Sequence, residues 1–146
     1  MSDKFKNVII IVLMLVIVIG GCFVLSFMQQ KDYKFTLIDL DTYFSLKKEN
    51  KTSLIYISKE DCAYCAKETP ILKEIGEEKN LKIYQINLSS LTSDEKNQLA
   101  GSDDYLKDGY SVPLLVITKD DEFVDQISGY HTKDKIINFL EENDIL

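Results

Sequence analysis

Arginine is absent from this 146-residue chain, so its 17 basic residues are all lysines. Without the planar guanidinium fork there is no bidentate grip on phosphates or carboxylates, and phosphate chemistry loses its usual anchor. Codon usage in an AT-rich genome accounts for the lysine preference without any mechanism. Histidine occurs once, as His131, and proline twice, as Pro70 and Pro113. Positive charge is in deficit: 24 acidic residues set the formal net charge at −7, and Lys4, Lys6, Lys31 and Lys34 lie beside an apolar N-terminal run, which leaves the rest of the chain more acidic still. That balance excludes nucleic acid as a partner. Cysteine is also scarce. Cys22 lies within the apolar run, and Cys62 and Cys65 are two residues apart in a polar setting. A structural disulfide framework needs more cysteines at wider spacing, and a loop this short restrains little of the unfolded chain. The pair is therefore for reacting or for metal.

Charge is missing altogether from Val8 to Met28, 21 residues reading VIIIVLMLVIVIGGCFVLSFM. At the helical rise this crosses a hydrocarbon core of roughly 30 Å, and unlike a buried core helix it is apolar on every face. The expectation is one transmembrane signal anchor over residues 8–28. The flanking lysines nearly tie, so orientation follows the default for a short N-terminus and a long following domain. Residues 1–7 form a cytoplasmic tail, and the domain is extracytoplasmic. Ile19-Gly20-Gly21-Cys22 resembles the lipobox of bacterial lipoproteins, which makes a lipid on Cys22 the alternative tether. Phe23, Val24 and Leu25 continue the apolar run where a lipoprotein turns polar, which favours the uncleaved anchor. Both readings make the lipid bilayer a partner and place the domain at the cell membrane on a disulfide-permissive side.

After a linker over residues 29–34, residues 35–146 amount to one domain, and 45% apolar with 28% charged residues is enough for a real core. Phe35 to Ile38 reads as a short strand, and Asp41 as the cap of a helix through Tyr43, Phe44 and Leu46 that ends at Asn50. Ser53 to Ser58 (SLIYIS) is a buried strand. From Cys62 to about Lys79, Cys65, Thr69, Leu72 and Ile75 recur at helical spacing, with Lys67, Glu74, Glu77 and Glu78 facing water and Pro70 interrupting. Leu81 to Leu88 alternates as a strand, and Ser93 caps a short helix from Asp94 to Ala100 that Gly101 ends. Pro113 to Thr118 and Phe123 to Ile127 pair as a hairpin across Lys119-Asp120-Asp121-Glu122. Gly129 closes the sheet region, and Thr132 caps a last helix carrying Ile136, Ile137, Phe139 and Leu140. The order predicts an α/β fold, a central mixed sheet flanked by helices and preceded by one transmembrane helix.

A dithiol oxidoreductase needs an exposed thiolate to attack a disulfide and a second thiol to resolve the mixed disulfide. Cys62-Ala63-Tyr64-Cys65, placed where a strand hands over to a helix, supplies both. Unpaired backbone N–H groups and the helix dipole favour the thiolate of Cys62; Glu60 and Asp61 act the other way, and Lys59 partly offsets them. The same spacing is half of a zinc site. Zinc would need two further ligands, yet the remaining cysteine is in the apolar run and the remaining imidazole is His131 alone, so no metal is expected.

With these residues in view, the stretch from Phe35 to Leu146 resembles the thioredoxin superfamily. SLIYIS leading into Cys62 is similar to that family's approach to its active site. Pro70, five residues after Cys65, resembles the proline that kinks the family's active-site helix, and Val112-Pro113 its cis-proline, which offers backbone groups to an extended substrate. Gly129 and Tyr130 match the third loop beside the cysteines. The resemblance implies Cys62 and Cys65 as catalytic residues, substrate binding by Ala63, Tyr64, Val112, Pro113, Gly129 and Tyr130, and no cofactor. It implies protein or peptide substrates with cysteines, a secreted peptide among them, and a membrane electron-transfer partner. His131 belongs to the helix entrance.

Two departures stand out. Tyr56 occupies the strand position where thioredoxins carry a buried aspartate that assists proton transfer to the second cysteine, so proton handling must differ or use water. Ala-Tyr between the cysteines resembles bacterial disulfide isomerases more than thioredoxins, although this chain has no room for the isomerases' dimerisation domain. A membrane-anchored single domain of this kind is similar to the bacteriocin-accessory thioredoxin-like proteins of Gram-positive bacteria. The expected function is extracytoplasmic thiol–disulfide exchange, as reductase, isomerase or oxidase. The rivals are a peptide-binding accessory module for a membrane transporter, without redox turnover, and a metal-handling protein.

Overall fold

The structure is a computed structural model that describes residues 11–16, 20, 33–107 and 109–146. The chain divides into two units, Met1–Asp32 and Tyr33–Leu146. In the first, residues 11–16 are helical, and their Ile, Val, Leu and Met side chains are exposed. Among the described residues no helix is long and apolar enough to cross a membrane. The expected span over residues 8–28, and Cys22 with it, lies outside the described residues except at 11–16 and 20.

In the second unit the elements run β1 (Thr36–Leu37), α1 (Leu40–Lys47), β2 (Ser53–Ser58), α2 (Ala63–Glu78), β3 (Ile83–Asn87), a 3₁₀ turn at Leu88–Ser90, α3 (Ser93–Gly101), α4 (Asp104–Lys107), β4 (Leu114–Lys119), β5 (Glu122–Ser128) and α5 (Lys133–Glu142). The strands form one five-stranded sheet in the order β1-β3-β2-β4-β5. β3 lies parallel to both β1 and β2, whereas β4 is antiparallel to β2 and to β5. The sheet is thus mixed, as the sequence led one to expect.

β2 is buried along its whole length because it is the central strand, with helices on both faces. Side chains alternate across a strand, so its residues sort into two cores. Ile55 and Ile57 join Leu40 and Tyr43 of α1, Leu99 of α3, Leu106 of α4, and Leu114 and Val116 of β4. Leu54 and Tyr56 join Leu72 and Ile75 of α2, Ile136, Phe139 and Leu140 of α5, and Leu115 and Ile117 of β4. The second core lies under the helix that carries the cysteines, and it fixes that helix on the sheet.

Local chemistry moves several boundaries from their sequence-based positions. Asp39, two residues before Asp41, caps α1 by accepting the Thr42 N–H at 2.9 Å, and the helix stops at Lys47, short of Asn50. Thr92 rather than Ser93 caps α3, because Glu95, three residues on, completes a capping box with Thr92. α2 continues through Pro70 to Glu78 instead of breaking there. The proline removes one N–H, and the buried Leu72 and Ile75 beyond it hold the later turns to the sheet. α4 falls in a stretch for which the sequence suggested no element. At the hairpin, Lys119 pairs with Glu122, leaving Asp120 and Asp121 with φ of 55° and 65°, the backbone of a two-residue primed turn. Tyr33 lies close against α2 at Gly76, where any Cβ would collide with its ring. Its hydroxyl donates to the Leu81 carbonyl at 2.8 Å and accepts the Ile83 N–H at 3.0 Å, tying the start of the unit to β3.

Candidate active site

β2 ends at Ser58, and the chain turns through Lys59-Glu60-Asp61 into α2. Cys62 is the N-cap of that helix, with extended backbone, and its sulfur accepts the Cys65 N–H at 3.0 Å. The first turn of a helix has no intrahelical partners for its N–H groups, so it presents partial positive charge to that sulfur. Cys62 and Cys65 are joined as a disulfide. Their exposures differ: Cys62 is half-buried at the surface, whereas Cys65, one turn on, is 3% exposed. An incoming group can therefore reach Cys62 and not Cys65.

The other residues that the sequence singled out connect to Cys62 through the loop before β4. The Val112-Pro113 peptide bond is cis, and the Val112 carbonyl lies 3.6 Å from the Cys62 sulfur. Pro113 is buried; its carbonyl accepts the Gly129 N–H at 2.8 Å, which links this loop to the one after β5. Gly129 has φ of +84°, where a side chain would be strained. The next residue, Tyr130, stacks on Tyr64, with ring centroids 6.4 Å apart and planes 28° from parallel. Both rings remain open, Tyr64 at 59% and Tyr130 at 41%. Lys67 lies 5.6 Å from the centre of the Tyr64 ring, and Ala63 is exposed beside it. Of the sequence-predicted set, Val112 meets the Cys62 sulfur directly, and Pro113, Gly129, Tyr130 and Tyr64 follow from it as a chain of bonded, hydrogen-bonded and stacked neighbours.

Beneath the pair, Tyr56 is fully buried. Its hydroxyl donates to the Cys65 carbonyl at 3.3 Å and lies 3.1 Å from Thr69 Oγ1. Burial pushes its pKa up to about 12; the Thr69 hydrogen bond acts the other way, and the charge of Glu68 adds to the rise. Tyr56 therefore stays protonated at neutral pH and is no substitute for a buried base. A polar cleft of about 190 Å³ opens on the other side of Cys65, lined by Ser58, Glu60, Thr69, Gln85 and Asn87 among others. Gln85 donates to Ser58 at 2.8 Å and Asn87 to Glu60 at 2.9 Å.

Sequence reasoning missed Glu68, which is 1% exposed. Burial raises its pKa, while the His131 N–H, donated to Glu68 Oε2 at 2.8 Å, and the charge of His131 pull it back. The signal was its spacing: three residues after Cys65 and four before Leu72, Glu68 lies on the buried stripe of α2, where a carboxylate is out of place. Among the described residues no group of three or more His, Cys, Asp or Glu side chains could hold a metal ion.

No family model matches the chain. Thioredoxins from Listeria monocytogenes serovar 1/2a and Listeria innocua serovar 6a are each 37% identical to it over 82 residues, which cover 53% of this chain and 71% of the relative. The crystal structure of thioredoxin f2 from Chlamydomonas reinhardtii superposes with a TM-score of 0.62 at 16% identity, over 77% of this chain and 99% of that one, a likeness of fold. The identity to the Listeria proteins, together with an intact Cys62–Cys65 pair at the head of its helix, makes the chain a member of the thioredoxin family and a thiol–disulfide oxidoreductase.

Proposed function

We propose that this oxidoreductase works outside the cytoplasm, tethered to the cell membrane by residues 8–28, on disulfides or dithiols of polypeptides bound beside Cys62. The observation that carries this reading is the Val112 carbonyl at 3.6 Å from the accessible Cys62 sulfur, on a cis-proline loop that is hydrogen-bonded through Pro113 to Gly129, next to the stacked Tyr130 and Tyr64. The uncharged 21-residue run supports the membrane tether, and a tethered domain on a disulfide-permissive side has substrates at hand. The likeness to bacteriocin-accessory proteins of Gram-positive bacteria supports a secreted peptide as one substrate.

In the reducing direction the Cys62 thiolate attacks one sulfur of the substrate disulfide. That S–S bond breaks, and one substrate thiolate leaves and takes up a proton. Cys65 then loses its proton and attacks the Cys62 sulfur. The internal disulfide forms, and the second substrate thiolate departs and is protonated. Two electrons pass to the substrate, leaving the oxidised chain. Water in the cleft beside Cys65 receives its proton, since Tyr56 cannot. A membrane electron-transfer partner restores the dithiol. The same steps run in reverse oxidise a substrate.

Intact host cells producing the full chain with Cys65→Ser provide the test. Cys62 should be alkylated by a membrane-impermeant thiol reagent before lysis, and mixed disulfides with other polypeptides should be recovered through it. Alkylation only after lysis would place the domain in the cytoplasm and overturn the proposed location.

A further inference from the structure

Among the described residues Glu68 is the one fully buried carboxylate, and none of them forms an ion pair with it. Such a group costs desolvation that an apolar residue of similar volume avoids, so stability alone does not explain it. What it does hold is the backbone N–H of His131. His131 directly precedes Thr132, the N-cap of α5, whose own side chain makes no capping hydrogen bond. A carboxylate from α2 thus stands at the positive end of α5. The short segment between β5 and α5 is fastened at three points: Gly129 N–H to the Pro113 carbonyl, His131 N–H to Glu68, and the His131 ring to the Ser128 carbonyl at 3.0 Å. Tyr130, between the first two, is the residue whose ring lies on Tyr64.

We propose that Glu68 is a positioning residue for polypeptide substrates: by holding the His131 N–H to the active-site helix it sets Tyr130 over Tyr64 at the rim of the site. This rests on the reading of Tyr64 and Tyr130 as substrate contacts. Glu68 touches neither sulfur nor substrate, and its effect falls on binding of an extended chain, not on the exchange step.

The test uses the full chain in detergent with dithiothreitol as reductant. Initial rates are measured on a protein disulfide with that reductant present, and, after its removal, the pre-reduced chain alone is mixed in single turnover with the small aromatic disulfide 5,5′-dithiobis(2-nitrobenzoic acid), which does not span the rim. Glu68→Leu and Glu68→Met remove the acceptor, so at least one variant that folds is expected. Either should raise KM for the protein disulfide by roughly fivefold, as loss of one hydrogen bond implies. kcat and the small-disulfide rate should stay within about twofold, and Glu68→Gln, whose amide oxygen still accepts the N–H, should restore KM. In a Tyr130→Ala background, Glu68→Leu or Glu68→Met should add nothing further. If Tyr130→Ala raises KM and the Glu68 variants do not, or if their effects simply add, the positioning role is wrong while the substrate contact stands. If Tyr130→Ala leaves KM unchanged, the substrate-contact reading fails first, and this inference with it. A loss of kcat and of the small-disulfide rate that Glu68→Gln shares would show Glu68 acting as a titrating group instead, which also overturns the proposal.

Discussion

Cys62 and Cys65 are chemically identical residues given different roles by one helical turn. The first is a half-buried N-cap facing N–H groups; the second is sealed at 3% exposure under the helix start. Cys65→Ser should therefore accumulate a mixed disulfide with a model protein substrate, seen as a reducible band on a non-reducing gel, whereas Cys62→Ser should form none. Tyr56→Phe should cost about 1 kcal/mol in urea denaturation, because Thr69 and the Cys65 carbonyl lose their partner. Its turnover should stay close to the parent's, since a phenol with its pKa pushed up to about 12 carries no proton away at neutral pH. Glu68 gives a pH signature. Burial holds its carboxyl above the ordinary 4.5, so the folded chain binds that proton more tightly than the unfolded chain. The resulting stabilisation is complete below pH 4.5 and is lost as pH rises through the folded-state value. Glu68→Gln cannot titrate, so its stability relative to the parent should climb with pH above 4.5 and then level off, as read from urea midpoints. Parallel curves would contradict this.

At the scale of elements, the segment from α3 through α4 to the cis-proline loop is held to α1 by a buried ion pair. Lys47 is paired with Asp103, and Asp103 Oδ2 also accepts from the Tyr43 hydroxyl at 2.9 Å and from Ser102 Oγ at 2.8 Å. Asp103→Ala would leave the Lys47 ammonium buried without its counter-charge, at a cost of roughly 3–5 kcal/mol. The expected readout is a large fall in urea midpoint that Asp103→Asn only partly repairs; a change within about 0.5 kcal/mol would show the pair to be incidental. Sequence patterns reveal elements of this kind unevenly. β2, α2 and the 119–122 turn are legible because burial, helical period and turn chemistry agree at each. Asp39 and Asp41 are equivalent cap residues by composition, and only side-chain geometry chooses between them at α1; at α3 the choice of Thr92 over Ser93 is legible in the sequence, because Glu95 follows Thr92 by three residues and completes a capping box. α4 has just one fully buried side chain among its described residues, Leu106, too little for a period to show.

For the whole molecule, the cysteine pair and the two prolines already marked the fold. With only two prolines in the chain, each fell where a thioredoxin-like template places one, and the structure brings Pro113 to the active sulfur through Val112. What the sequence could not show was how the elements close on one another. Helical spacing alone puts Glu68 on the buried stripe of α2, but its pairing with the His131 N–H and the cleft beside Cys65 depend on how helices α2 and α5 and strand β3 close around the site, which no local pattern encodes. Whether Cys62–Cys65 is a working two-electron couple or a fixed crosslink is tested most directly by its reduction potential. The full chain would be equilibrated in glutathione or dithiothreitol buffers, followed by thiol trapping. A working couple gives one reversible two-electron transition within the span of this fold's enzymes, from roughly −270 to roughly −120 mV, that is absent when either cysteine is replaced by serine. A pair that stays oxidised until below roughly −300 mV, as structural disulfides do, would contradict the working couple.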